Sequence, residues 1–103
     1  MQIIPLQAIP NQAVTVTLNE QVCQINVYQT VGGLFVDLYV SDVLIIGGVI
    51  AQTNNRIVRS AYLDFQGDLA FVDNEDGDED PVYTGLDGRF SLAYLTPEEL
   101  AEG

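Results

Sequence analysis

The residues able to do chemistry in this chain are few and bunched. Six of its fifteen acids fall between Asp73 and Asp80, in the run Asp73-Asn74-Glu75-Asp76-Gly77-Asp78-Glu79-Asp80. Clustered carboxylates suit hard cations, so the first possibility is calcium. An EF-hand loop needs D-x-[DN]-x-[DN]-G-x5-E. Placing its glycine on Gly77 puts Val72 at the first ligand position and Tyr83 at the twelfth, where glutamate is required. That spacing fails. Three readings stay open: an irregular oxygen site using Asp73, Asp76 and Asp78, a contact with a basic partner patch, or a solvated and self-repelling loop.

Other chemistry has little to stand on. The chain contains no histidine and no lysine, so the common general bases and Schiff-base nucleophiles are missing. Cys23 has no histidine to activate it, and a lone cysteine excludes an internal disulfide. Its place in the alternation Cys23, Ile25, Val27 reads as a small buried hydrophobe. The acids gather in one loop rather than on two facing strands, which argues against a glycosidase pair. No catalytic residue, metal or cofactor is expected. Arg56, Arg59 and Arg89 are the only cations. Arg59 is expected to pair with Asp64 or Asp68, and Arg89 with Asp87.

The elements that must carry these residues are strands. At 103 residues with 48% hydrophobic content the chain is one domain with a modest core. Period-two alternation runs through Val14, Val16 and Leu18 and again through Cys23, Ile25 and Val27, with Asn19-Glu20-Gln21 as the hairpin turn between. Further strands follow at Leu34–Val40, Val43–Gln52, Ala61–Phe65, Leu69–Val72 and Arg89–Leu95, separated by turn residues. The Gly47-Gly48 pair marks a bulge or a close backbone approach. The fold expected is all-β, a single small antiparallel barrel or sandwich of about seven or eight strands.

Three segments are expected. Residues 1–12 form an extended arm, because Pro5 and Pro10 hold their predecessors in extended geometry. Its apolar residues Ile3, Ile4, Leu6 and Ile9 are either a docking segment or the first edge strand. Residues 13–95 form the β domain. Residues 96–103 form an acidic tail, in which Thr96-Pro97-Glu98-Glu99 reads as a capping box opening a short helical turn.

The net charge of −12 weighs against nucleic-acid phosphates and anionic membranes and favours a basic protein partner. The longest apolar run, Val43 to Ala51, is about half a membrane span. The N-terminus lacks a positive leader region, so a soluble, non-secreted chain is expected. Candidate partner contacts are Ile3, Ile4, Leu6, Ile9, Asp76, Asp78, Asp80 and Tyr83, the last also able simply to pack its ring on the sheet edge.

The ordered series MQIIPLQAIPNQ, VTLNEQVCQINVYQ, GLFVDLYV, IVRSAYL, GDLAFVD and DPVYTGLDGRFSLAYL resembles the phage baseplate plug family, over about residues 1–95. The resemblance implies a structural virion protein of a contractile tail, made in the host cytoplasm. It would sit in the central baseplate among tail tube, hub or spike and neighbouring copies of itself. It implies no catalytic residues and a closed cyclic homo-oligomer, a trimer before a hexamer. The segment Asn74–Glu79 departs from the family pattern and resembles a local elaboration. A different reading is an acidic effector that mimics nucleic-acid charge to block a DNA-binding host protein. It requires acids spread in a stripe across one face.

Overall fold

The computed structural model describes residues 2–53, 56–58, 65–75, 77, 79–86 and 88–102. Seven strands and one short helix lie among them: β1 (Gln2–Ile4), β2 (Asn11–Leu18), β3 (Gln21–Thr30), β4 (Gly33–Val40), β5 (Val43–Ile50), β6 (Asp68–Asp73), β7 (Phe90–Leu95) and α1 (Pro97–Glu102). They form two antiparallel sheets, one ordered β2-β3-β4-β5 and the other β1-β7-β6. The architecture is a sandwich and not a closed barrel.

The larger sheet is a meander built by its turns. Asn19 and Glu20 (φ 51° and 65°) join β2 to β3, and Ser41 and Asp42 (φ 50° and 67°) join β4 to β5. Two successive residues of positive φ make a primed turn, whose twist matches that of the flanking strands. The resulting registers set Val16 opposite Cys23 and Val27 opposite Val36, so one face is continuously apolar. Between Val36 and Leu38 on β4 the partners on β5 advance from Val49 to Ile46. The extra residue falls at Gly47-Gly48, with Gly48 at φ +64°. This is the bulge that the glycine pair announced.

The smaller sheet closes over that apolar face. Ile4, Leu69, Phe71, Leu92 and Tyr94 meet Cys23, Ile25, Val27, Leu34, Val36 and Leu38, all of them buried. Each side chain of this size contributes ~2 kcal/mol on burial, so this inter-sheet layer holds the fold. Burial also pushes the Cys23 thiol above its ordinary pKa, as suits an inert core residue. At the top of β7, Gly67 turns with φ +107° against Leu95 and Tyr94. The Tyr94 hydroxyl donates to the Gln66 carbonyl there.

The N-terminal stretch enters this sheet as an edge strand, with Ile4 opposite Leu92. The strand expected at 61–65 falls mostly on residues outside those described. At the other terminus the capping box is formed: the Thr96 N–H donates to Glu99 Oε1 (2.9 Å) and the Glu99 N–H donates to Thr96 Oγ1 (3.2 Å). The helix they open is six residues long.

Candidate functional site

Antiparallel pairing of β6 with β7 sets Asp73 opposite Phe90, so the acidic run is the connection that leaves one strand end and returns to the other. Arg89, one residue before β7, is therefore brought beside Asp73. Its Nε donates to Asp73 Oδ1 at 3.1 Å and its Nη2 donates to Oδ2 at 2.9 Å. The Asp73 side chain is fully buried beneath this fork. Its Oδ1 also accepts the N–H of Glu75 at 2.9 Å. The guanidinium beside it holds the Asp73 carboxyl below the usual carboxylate range, and the same pairing raises the pKa of Arg89.

The rest of the loop is arranged around this pair. Glu79 reaches Arg89 Nη1 at 3.4 Å and Glu75 reaches Nε at 3.9 Å, both with largely exposed side chains. The Arg89 guanidinium carbon stands 5.1 Å from the centre of the Phe90 ring. Asn74 donates through Nδ2 to the Gly88 carbonyl (2.9 Å) and to Ser91 Oγ (2.8 Å), locking the first turn. The backbone passes over the ion pair at Gly77, where a Cβ would stand 2.6 Å from Asp73 Oδ2. Farther along, Thr53 Oγ1 donates to the Glu79 carbonyl (2.6 Å) and the Tyr83 N–H donates to Gln29 Oε1 (3.2 Å). The run is thus tied to both sheets. Its exposed carboxylates, Glu75, Glu79 and Asp80, are presented from a supported frame.

The expected residues divide. Tyr83 is half-buried against the core, opening a single 3-10 turn at Tyr83–Gly85. Asp80 is exposed. Asp76 and Asp78 lie outside the described residues, as do Arg59, Asp64 and Asp87 of the expected ion pairs. Among the described residues Arg89 takes Asp73, Glu75 and Glu79 as partners across the loop. Asp68 is buried and accepts the N–H groups of Val58 (2.8 Å) and Leu69 (2.7 Å). Among the described residues no group of three His, Cys, Asp or Glu side chains is arranged to hold a metal. Asp73 is already committed to Arg89.

On the N-terminal arm, Ile4 and Leu6 face inward and belong to this chain's own core. Ile3 and Ile9 remain 50% and 39% exposed. A shallow cleft of about 490 Å³, lined in part by Leu6, Ile9 and Val14, lies between the arm and β2. Gln12 straps the arm there: its Nε2 donates to the Gln7 carbonyl (2.7 Å) and its Oε1 accepts the Gln7 N–H (2.9 Å).

Two functional features went unread in sequence. The Asp73–Arg89 fork spans 16 residues and becomes visible only once the β6–β7 register is known. Asp37 caps the bulge, accepting the Gly48 N–H (2.7 Å) and the Tyr28 hydroxyl (3.1 Å). An acid in mid-strand opposite a Gly-Gly pair was the available signal.

No curated protein matches the sequence. The family described as cyanophage baseplate Pam3 plug gp18 matches residues 1–98, which spans both sheets and the acidic connection. The chain therefore belongs to this phage baseplate plug family, a family of structural proteins of the virion tail baseplate.

Proposed function

We propose that this chain is a non-enzymatic packing element of the central baseplate of a contractile tail, seated between tail tube and hub or spike in several copies. The observation that supports a protein-contact role is the supported acidic rim. Arg89 clamps Asp73, and Glu75, Glu79 and Asp80 stand exposed around the clamp. A frame of this kind meets a basic surface without first having to order a loose loop, which lowers the entropic cost of association. The exposed Ile3 and Ile9 of the arm supply further apolar contact. Ring symmetry in such assemblies is cyclic, and three copies is the expected number.

The charge-mimic reading fares less well. It requires a stripe of acids, and within the strands β2, β3, β4 and β5 the one charged residue is Asp37, which is spent on the bulge. Cross-linking mass spectrometry on assembled particles tests the proposal. Links from residues near Glu79 and Asp80 to tube or hub proteins are expected. A protein absent from virions and bound instead to a host nuclease or polymerase would overturn it.

A further inference from the structure

The four-stranded sheet ends in two long strands, β2 on one side and β5 on the other, whose outer edges have no ladder partner among the described residues. Each is eight residues long. Neither carries a charge or a proline within it, two of the devices that protect an edge from pairing. We propose that these two edges are the contact between copies of this chain, β2 of one copy pairing antiparallel with β5 of the next. This deepens the ring reading above and rests on it for copy number only.

Three observations carry it. The first is charge. Two chains of net charge −12 repel, and can approach closely only through surface without acids. The strands β2 to β5 provide it: their one acid is Asp37, and the acids Glu20 and Asp42 sit in the turns at the strand ends. The second is parity. The sheet has four antiparallel strands, so β2 and β5 run in opposite directions. A neighbour rotated about an axis along the strands therefore offers β2 antiparallel to β5, and the ladder continues unchanged from copy to copy. Three copies close twelve strands. The third is curvature. The register of β5 slips twice against β4, once at Gly47-Gly48. Bulges and glycine kinks bend a sheet in the way that closure into a ring requires.

The backbone directions identify which groups would pair. The Pro10 carbonyl accepts the Gln29 N–H at 2.8 Å, so the even-numbered residues of β2 turn their backbone groups toward β3. Ala13, Thr15 and Thr17 then turn theirs to the open edge. Just past β4, the Ser41 N–H donates to the Val22 carbonyl of β3 (3.0 Å), so Tyr39 two residues earlier faces β3, and Leu44 opposite it faces outward. Proline at Thr15 or at Leu44 would remove an outward donor and no bond within the sheet.

The experiment is native mass spectrometry of the purified chain at about 0.15 M salt, where repulsion between distant charges is screened. A trimer is expected, and Thr15→Pro and Leu44→Pro are each expected to give a monomer with an unchanged circular dichroism spectrum. A monomeric parent chain overturns the proposal. So does a dimer sensitive to one of the two prolines and not the other, since that is a self-paired edge. Hydrogen exchange on the parent chain covers the case of a misfolded variant. The amides of Thr15 and Leu44 should gain protection as concentration rises, and exchange at unprotected rates in the oligomer would sink the idea. A monomer still found in baseplates would overturn the edge pairing alone; a ring missing from virions would overturn the baseplate position alone.

Discussion

Arg89 grips Asp73 with two parallel bonds, at 3.1 and 2.9 Å, across the mouth of the β6–β7 connection. The carboxylate is fully buried under the guanidinium, while the Arg89 side chain stays partly exposed. The two ends of the pair are therefore unequal. Removing the arginine strands a buried charge, whereas removing an outer acid such as Glu75 or Glu79 strands nothing.

That inequality sets the order of mutational effects. Arg89→Met should lower the melting temperature by several degrees, and Glu75→Gln or Glu79→Gln should hardly move it. The double variant Asp73→Leu/Arg89→Met should recover most of the loss, because no unpaired charge remains. Scanning calorimetry on the five proteins checks the order. Equal losses for Arg89→Met and Glu79→Gln would show that the fork is not the anchor of the loop.

The same pair sets an acid limit. The folded pKa of Asp73 lies below the ordinary 3.8, chiefly through the hydrogen bonds from Arg89. Its stabilisation is complete above that ordinary value and is lost as pH falls through the lowered folded value. Below pH 3.8 the unfolded chain binds the proton more readily, so stability should fall with falling pH. The parent chain should show this slope and Asp73→Asn should lack that part of it. Urea unfolding at a series of acidic pH values makes the comparison, and identical slopes would count against it.

The parts legible in sequence are those fixed by local rules. Alternation placed Cys23, Ile25 and Val27 inward, Asn19-Glu20 turned the first hairpin, Gly47-Gly48 marked the bulge, and Thr96 with Glu99 formed the capping box. Each depends on neighbours a few residues apart. The Asp73–Arg89 fork and the Asp37 cap depend on inter-strand register, and the division of the arm into buried Ile4 and exposed Ile3 depends on which strand it joins. Nearness in sequence pointed Arg89 to Asp87, which lies outside the described residues, whereas the Asp73 partner is set by the pairing of β6 with β7.

Two glycines should respond differently to alanine. Gly67 sits at φ +107°, and a Cβ there would collide with the Leu95 carbonyl oxygen and the Tyr94 ring. Gly48 has φ +64° but open space, with only the Tyr28 hydroxyl at 3.9 Å. Gly48→Ala should therefore cost only the backbone penalty of ~1 kcal/mol, and Gly67→Ala clearly more, because the strand end and the Tyr94–Gln66 bond must both shift. Chemical denaturation of the two variants measures the difference. A smaller loss at Gly67 would mean that this corner gives way easily.

The primed turns offer a gain in stability. Glu20 and Asp42 hold φ values of 65° and 67°, a region that L side chains enter at a cost and glycine does not. Glu20→Gly creates Asn-Gly, the strongest two-residue hairpin sequence, and leaves in place the bond from Asn19 Nδ2 to Gln66 Oε1 at 2.8 Å. Asp42→Gly creates Ser-Gly in the same setting. Glycine also gives the unfolded chain more freedom, which offsets part of the relief. The net gain should be about 0.5 kcal/mol per site, and removing one acid from each turn adds to it by easing the self-repulsion of a chain at −12. The urea midpoint should rise with an unchanged slope, since the surface exposed on unfolding is the same. A fall in midpoint at Glu20 would mean that the side chain contributes more in this turn than its backbone strain costs.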